Sequence, residues 1–151
     1  MEESDRMECI PIGVVRSPYR VRGDAPRQGR LAGTEAEIRI FDDYAPGLQD
    51  VEYASHLIVL YWLDRADRGL LFATPPGETR ERGVFSTRSP ARPNPIGFGV
   101  VDLVRRDGNV LTVRGLDALD GTPVLDIKPY SPEIDSIPSA TGGWRIKPEK
   151  G

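Results

Sequence analysis

Cysteine and histidine are almost absent from this sequence. Among 151 residues, Cys9 is the only cysteine and His56 the only histidine. A single cysteine excludes an internal disulfide framework, and the lack of a CxxC pair or a histidine-rich cluster argues against a structural metal. A nucleophilic triad built on histidine also has weak support. We expect His56, within the apolar segment SHLIVLYW, to be a hydrogen-bonded core or supporting residue rather than a catalytic one.

Long apolar runs and nucleotide-binding loops are also missing. No segment approaches the ~20 apolar residues of a transmembrane helix, so we expect no membrane partner. Neither the strand–GxGxxG–helix unit of a dinucleotide fold nor the GxxxxGK[ST] loop of a triphosphate site occurs. The first residues, MEESDRMECIPIG, are polar and acidic before they turn apolar, unlike a secretory or transit signal. A cytoplasmic location is therefore the expectation.

Convincing amphipathic helices are lacking, whereas short strand-like segments are frequent. Residues 44–54 can form at most a helical turn or two, and an Asp-Gly pair at 107–108 predicts a hairpin. The pattern predicts a mainly β, small single-domain, barrel-like fold with short helical segments and an irregular tail from about Ser131. The domain is expected to span 10–132, with extensions 1–9 and 133–151. Six segments are β-branched or aromatic and bounded by turn residues, namely 10–15, 36–40, 56–63, 96–104, 110–116 and 123–127.

Charge is low overall but unevenly distributed. The formal net charge is −3, and 17 arginines stand against 3 lysines. Residues 13–30 contain five arginines against Asp24 alone, and residues 80–92 contain four against Glu81. This segregation predicts an anion-attracting face, because arginine suits phosphate contacts and stacking on bases. A GC-rich coding bias, which also enriches arginine over lysine, explains the excess equally well.

The segment GVFSTRSPARPNPIGFG (83–99) is unusually stiff. Its three prolines fix φ and push the preceding residues toward extended geometry, which predicts a rigid extended loop. Gly97 and Gly99 permit close approach of the backbone to another group. A Pro-rich surface connection between strands is an equally weighted alternative.

Five ordered motifs resemble the TrmO, or TsaA-like, family of S-adenosylmethionine-dependent tRNA methyltransferases. They are IGVVRSPY (12–19), PRQG (26–29), GLQDVEYASHLIVLYWLDRA (47–66), GVFSTRSPARPNPIG (83–97) and LDGTPVLDIKPYSP (119–132), and the resemblance covers 10–132. It implies a small β-barrel-like fold, a homodimer and S-adenosylmethionine as cofactor. The implied reaction is methylation of N6 on the threonylcarbamoyladenosine next to the tRNA anticodon.

The same resemblance implies which residues line the cofactor site. Many relatives carry a histidine where this chain has Asp64. A rigid 83–99 loop would form one wall of the site and aim Arg88 into it. The implied cofactor-binding residues are Pro26, Arg27, Gln28, Asp64, Arg65, Arg88, Phe98, Leu119, Asp120, Gly121 and Thr122.

The segment DIKPY (126–130) offers candidates for catalysis. On a strand, Asp126 and Lys128 project to one face, with Tyr130 next in phase. A general base is plausible because the N6 nitrogen must lose a proton, and we predict Asp126 for that role. The alternative is a solvated ion pair on an edge strand, the more frequent use of such a pattern.

Substrate contacts are predicted from the arginines. Arg16, Arg20 and Arg22 are expected to bind tRNA phosphates, and Arg92 to hold the threonyl carboxylate or a neighbouring phosphate. Two other functions stay open at this point. One is a methyltransferase with a different acceptor, and the other is a non-enzymatic barrel that binds RNA or a small ligand.

Overall fold

The predicted strands form a closed barrel in the computed structural model, which describes residues 5–20 and 33–142. The strands are β1 (Gly13–Arg16), β2 (Glu35–Ile40), β3 (His56–Trp62), β4 (Phe72–Ala73), β5 (Arg82–Gly83), β6 (Ile96–Asp107), β7 (Val110–Arg114) and β8 (Pro123–Pro129). The barrel order is β1-β2-β7-β6-β3-β8, and β1 closes it by pairing antiparallel with both β2 and β8. The mainly β, barrel-like prediction is therefore confirmed.

The barrel interior follows from simple alternation along the strands. In β2, Ala36, Ile38 and Ile40 are buried, whereas Glu37 and Arg39 between them face outward. Successive strand residues point to opposite faces, so one face of the sheet fills the barrel with apolar side chains. The apolar core is what holds the strands around the sites described below.

A β-bulge decides which way the end of β8 faces. The register pairs Tyr61 with Val124 but Leu60 with Asp126, so Leu125 is left without a partner. Tyr61 and Val124 are both buried. Strict alternation would turn Asp126 inward beside Val124; the extra residue instead turns it outward, where its carboxylate stays hydrated.

The predicted hairpin joins β6 and β7. Asp107 pairs with Val110, so the two turn residues are Gly108 and Asn109 rather than the predicted Asp-Gly pair. Gly108 has a φ of 61°, a conformation that residues with a side chain rarely adopt. The side-chain amide of Asn109 donates to the Ile40 carbonyl at 2.7 Å, which ties the hairpin to the end of β2.

Two short 3-10 helices, Asp42–Leu48 and Val51–Tyr53, connect β2 to β3, as the limited helical prediction for 44–54 requires. Pro46 lies inside the first and breaks an α-helical ladder. Arg106 anchors this connection by donating to the Leu48 carbonyl and the Glu52 carboxylate, each at 3.0 Å. The pKa of Glu52 lies below the usual 4.5. The main cause is a hydrogen bond from the backbone amide of Glu52 to its carboxylate, and the second is the hydrogen bond from Arg106.

A second compact unit consists of Leu63–Ile96 and, of the described residues after Tyr130, 131–142. It contains the two-stranded β4–β5 sheet, a 3-10 helix at Val84–Ser86 and the single-turn α1 at Pro132–Asp135. Strands of two residues are too short to show alternation, which is why the sequence analysis missed β4 and β5. No helix within 5–20 or 33–142 is long and apolar enough to cross a membrane. The predicted domain limits stay a prediction.

Candidate cofactor site and substrate surface

A tight turn precedes β8 in the barrel and contains the predicted residues Leu119–Thr122. The Thr122 amide donates to the Leu119 carbonyl at 3.1 Å, which closes the turn. Gly121 has a φ of 87°, so the turn requires glycine there. Asp120 keeps a partly exposed carboxylate, with a side-chain exposure of 22%. The turn thus presents a carboxylate on a closely defined backbone.

The segment after β1 fixes this turn. The Ser17 amide donates to the Asp120 carboxylate at 3.1 Å, and the Asp120 amide donates to the Tyr19 carbonyl at 2.6 Å. The Gly121 amide donates to the Val15 carbonyl at 2.8 Å. Two motifs a hundred residues apart, RSPY and LDGT, are therefore one structural feature, which their sequence spacing does not indicate.

A tyrosine on β3 explains why residue 97 is a glycine. A β-carbon at Gly97 would overlap the ring of Tyr61, whereas one at Gly99 would meet only ordinary contacts, the nearest to Leu116 at 3.4 Å. The predicted close approach is confirmed at Gly97. The Tyr61 hydroxyl donates to the Asp117 carboxylate at 2.5 Å, just upstream of the turn. Sequence reasoning missed Tyr61 and Asp117, because the tyrosine reads as one more apolar residue of a strand.

Residues 83–96 of the 83–99 loop lie in the second unit, where one arginine of the loop holds its backbone. Arg92 donates to the carbonyls of Val84, Thr87 and Ser89 at 2.9, 3.2 and 3.0 Å. Two of these carbonyls belong to the residues on either side of Arg88, whose own side chain is exposed. The loop is therefore rigid through Arg92 as well as through its prolines. The predicted substrate role of Arg92 stays a prediction beside this observed one.

Asp64 and Arg65 occupy a turn in the same unit, directly after β3. The Ala66 amide donates to the Leu63 carbonyl at 3.0 Å, and both predicted side chains are exposed. The Leu63 amide donates to the Pro95 carbonyl at 2.8 Å, so this turn and the 83–99 loop are joined by a backbone hydrogen bond. The unit thus presents the predicted Arg65 and Arg88 on adjoining segments.

The remaining predicted cofactor residues fall into two groups. Phe98 lies on β6 with 49% of its surface exposed, so it can offer a ring face to a ligand. Pro26, Arg27 and Gln28 lie outside the described residues, as does the predicted tRNA-binding Arg22. Their roles stay predictions.

The DIKPY residues lie away from the turn along β8. Lys128 Nζ and Asp126 Oδ2 form an ion pair at 3.0 Å on one face, with both side chains about half exposed at 59% and 46%. Asp126 is four residues beyond Thr122 and Tyr130 eight, which places them about 13 and 26 Å along an extended strand. The shared face agrees with the sequence pattern. The catalytic roles of Asp126, Lys128 and Tyr130 stay predictions, and the exposed ion pair is also what the solvated alternative expects.

Asp126 and Tyr130 open onto a groove of about 650 Å³. Tyr44 and Tyr53, from the 3-10 connection, line the same groove. Three aromatic rings and a carboxylate are residue types that suit a stacked base with a hydrogen-bond donor.

His56 is hydrogen-bonded but not buried. Its Nε2 lies 3.0 Å from Asp102 Oδ1 and its Nδ1 2.7 Å from Ser55 Oγ, while 38% of its side chain is exposed. The predicted hydrogen bonding of His56 agrees with this arrangement. The side chain does not lie in the core. Within the described ranges, no group of three or more histidine, cysteine, aspartate or glutamate side chains is placed to hold a metal ion.

Comparison with known proteins identifies the family of this chain. The family model for the tRNA-methyltransferase O N-terminal domain matches residues 14–136. A probable S-adenosyl-L-methionine-binding protein of Archaeoglobus fulgidus is 61% identical over 133 residues, which cover 88% of this chain and 36% of that protein. The tRNA (adenine(37)-N6)-methyltransferase of Escherichia coli is 39% identical over 144 residues, covering 88% of this chain and 61% of that enzyme.

Solved structures agree. A crystal structure of TrmO from Pseudomonas aeruginosa superposes with a TM-score of 0.80 at 34% identity, over 97% of this chain and 66% of that one. The chain thus spans between a third and two thirds of the length of these relatives. The match over most of its length confirms the resemblance drawn from the five motifs: this chain belongs to the TrmO family, and its residues 14–136 match the family's N-terminal domain.

Proposed function

We propose that the protein is an S-adenosylmethionine-dependent methyltransferase that modifies N6 of the threonylcarbamoyladenosine next to the tRNA anticodon. Membership of the TrmO family supports this, as do the names of the Archaeoglobus and Escherichia relatives. The single observation that carries it is the turn at Leu119–Thr122, a family motif held in one conformation by the RSPY segment. The protein then acts in the cytoplasm, with tRNA as its partner.

The residue types at the predicted site fit the cofactor. Asp120 and Thr122 offer a carboxylate and a hydroxyl to ribose hydroxyl groups, and exposed Arg88 suits a carboxylate. Phe98 offers a ring face to adenine. When bound, S-adenosylmethionine supplies the methyl group that is transferred. The chain's own contribution is alignment, and well-held reactants recover about 7–11 kcal/mol of a barrier.

Deprotonation of the acceptor is assigned to Asp126. A carbamoyl substituent makes the N6 proton more acidic, so a carboxylate is a sufficient base, worth roughly 10²–10⁴ in rate. Lys128 forms an ion pair with Asp126 at 3.0 Å, which orients that carboxylate. The Tyr44, Tyr53 and Tyr130 rings beside Asp126 offer stacking surfaces for the adenine.

The active form is proposed to be a homodimer. Four neighbouring apolar side chains of the second unit are exposed: Leu70, Leu71, Phe72 and Phe85, by 45%, 55%, 59% and 79%. Phe72 pairs with Gly83, and the Leu71 carbonyl accepts from the Val84 amide, so the four belong to one small sheet and its adjoining helix. Exposed apolar clusters of this kind mark interfaces between subunits.

A homodimer also accommodates the spacing along β8. Asp126 is four residues beyond Thr122, at most about 13 Å along a strand that contains one bulge, which separates the proposed base from the residue proposed to hold the ribose. The base of one subunit would then serve a cofactor held by the other. Mixing Arg88→Ala and Asp126→Asn proteins, each inactive alone, should restore on the order of a quarter of wild-type activity through mixed dimers. Absence of any recovery would contradict the shared site.

The decisive experiment compares two preparations of one tRNA. Methyl incorporation is measured into tRNA carrying threonylcarbamoyladenosine and into the same tRNA transcribed without it. We expect a preference of roughly 10⁴-fold for the modified tRNA, because a site built to hold its polar groups leaves them unpaired on plain adenosine. Comparable rates would refute the substrate assignment. Incorporation into neither, with S-adenosylmethionine bound in a calorimetric titration, would indicate a different acceptor, and no binding would favour a non-enzymatic barrel.

A further inference from the structure

One row of residues crosses four neighbouring strands on the outer face of the barrel. The register pairs Arg16 on β1 with Glu37 on β2, Glu37 with Thr112 on β7, and Thr112 with Arg105 on β6. Directly paired residues share a face, and neighbouring strands are about 4.8 Å apart, so the two arginines stand about 14 Å apart at the ends of the row. They border a shallow groove of about 600 Å³ that Arg20 also lines.

The carboxylates of this groove are engaged by positive or donor groups. Glu37 accepts from Arg39 at 3.1 Å, and Glu35, at the groove's edge, accepts from Arg114 at 3.0 Å. Neither Arg39 nor Arg114 lines the groove.

Asp120 is engaged as well, by the Ser17 amide at 3.1 Å and by Arg16 at 3.9 Å. Arg105 is exposed and makes no ion pair within the part of the chain that the structure describes. Three arginines and three carboxylates line the groove, and Arg39 and Arg114 stand beside it as partners of Glu37 and Glu35. Positive groups therefore exceed carboxylates by two in and around the groove, although the whole chain carries −3.

We infer that this groove binds the phosphate backbone of the RNA substrate, with Arg105 as its outer contact. The inference rests on the proposed function and deepens it by placing the RNA on the outer face of β1, β2, β7 and β6. Arginine forks make bidentate contacts with phosphate oxygens, and separated arginines along a groove match a chain of repeating charges better than a single anion. Sequence reasoning missed Arg105, because it lies outside both arginine-rich segments and joins Arg16 only through strand pairing.

Binding of tRNA, followed by fluorescence anisotropy over a series of salt concentrations, tests the inference. Arg105→Ala should bind several-fold more weakly, and the slope of log affinity against log salt should fall by about 0.7–0.9, the value of one phosphate contact. Arg6→Ala, which removes the same charge from the exposed N-terminal segment, is the matched control and should leave the slope unchanged. Equal slopes for Arg105→Ala and wild type would overturn the inference.

A variant that gains tRNA affinity is the stricter test, because a misfolded protein cannot bind more tightly. Glu37→Gln removes a negative charge from the middle of the row and releases Arg39, so tRNA binding should tighten several-fold at low salt. Glu133→Gln, the same change on exposed α1, should not tighten it. Unchanged binding by Glu37→Gln would overturn the groove. If Glu37→Gln tightened the binding of poly-glutamate as much as that of tRNA, the groove would be assigned to acidic proteins instead, which also overturns the inference.

These outcomes separate the groove from the proposed function. A wild-type protein that binds tRNA with the expected variant effects but methylates neither tRNA preparation refutes the reaction and leaves the groove standing. Methylation by Arg105→Ala and Glu37→Gln with wild-type KM leaves the reaction standing and refutes the groove. S-adenosylmethionine binding should be the same in all four variants.

Discussion

The turn before β8 and the 83–99 loop are both predicted to line the cofactor site, yet they are held by different means. The turn depends on partners about a hundred residues away, such as Ser17 for Asp120. The loop contains three prolines and is braced by Arg92, whose acceptors all lie within eight residues, although the Leu63 amide also donates to the Pro95 carbonyl. The constraints on the loop are therefore mainly local, whereas those on the turn come from a segment far away in the sequence.

The largest expected effect concerns the ligand contact of the loop. Arg88→Ala should weaken S-adenosylmethionine binding by about 2–5 kcal/mol, the usual loss when one partner of a covered charge pair is removed. The side chain is exposed, so the fold should stay intact. Calorimetric titration measures the affinity. An unchanged titration curve would remove Arg88 from the site.

The next largest expected effect concerns the packing of Gly97 against Tyr61 in the barrel. Gly97→Ala places a β-carbon on the Tyr61 ring, and overpacking of this kind costs roughly 1–3 kcal/mol of unfolding free energy. Gly99→Ala is the matched control, because its β-carbon meets only ordinary contacts and should be tolerated far better. Urea unfolding measures both. Equal losses would mean that Tyr61 does not set the spacing at Gly97.

Removal of Arg92, which braces the loop, should give an effect of similar size. Arg92→Ala removes one donor from each of three backbone carbonyls, of which that of Val84 still accepts from the Thr87 amide and hydroxyl. We expect a loss of about 1–3 kcal/mol in cofactor affinity and faster hydrogen exchange confined to 84–89. Arg92→Lys retains the charge, but a single ammonium group lacks the planar fork with which arginine reaches all three carbonyls. Full function in Arg92→Lys together with loss in Arg92→Ala would favour the predicted anion-binding role over the brace.

The smallest expected effect is on the turn. Ser17→Ala removes the hydroxyl that donates to the Ala118 carbonyl at 2.8 Å, at a cost of about 0.5–1.5 kcal/mol in stability. The Ser17 amide still reaches Asp120, so cofactor affinity should change less than in Arg92→Ala. A larger loss of cofactor affinity in Ser17→Ala than in Arg92→Ala would reverse the comparison between turn and loop.

Properties encoded locally were predictable. The β-branched runs that became β1, β2, β3, β6, β7 and β8 show two-residue alternation or continuous apolar character within a few positions. The hairpin at Gly108 follows from the conformational freedom of glycine, and the stiffness of 83–99 follows from proline. The five motifs also identified the family, because they are long and occur in a fixed order.

Properties that depend on register were not predictable. The sequence by itself determined which segments are strands, where the chain turns and which loop is stiff, since these depend on neighbours within a few residues. Only the tertiary structure decided that Ser17 meets Asp120, that Tyr61 meets Gly97, that a bulge turns Asp126 outward and that Arg105 shares a row with Arg16. Each of these depends on which strands pair and in what register, and a shift of one residue would move every side chain of a strand to the opposite face.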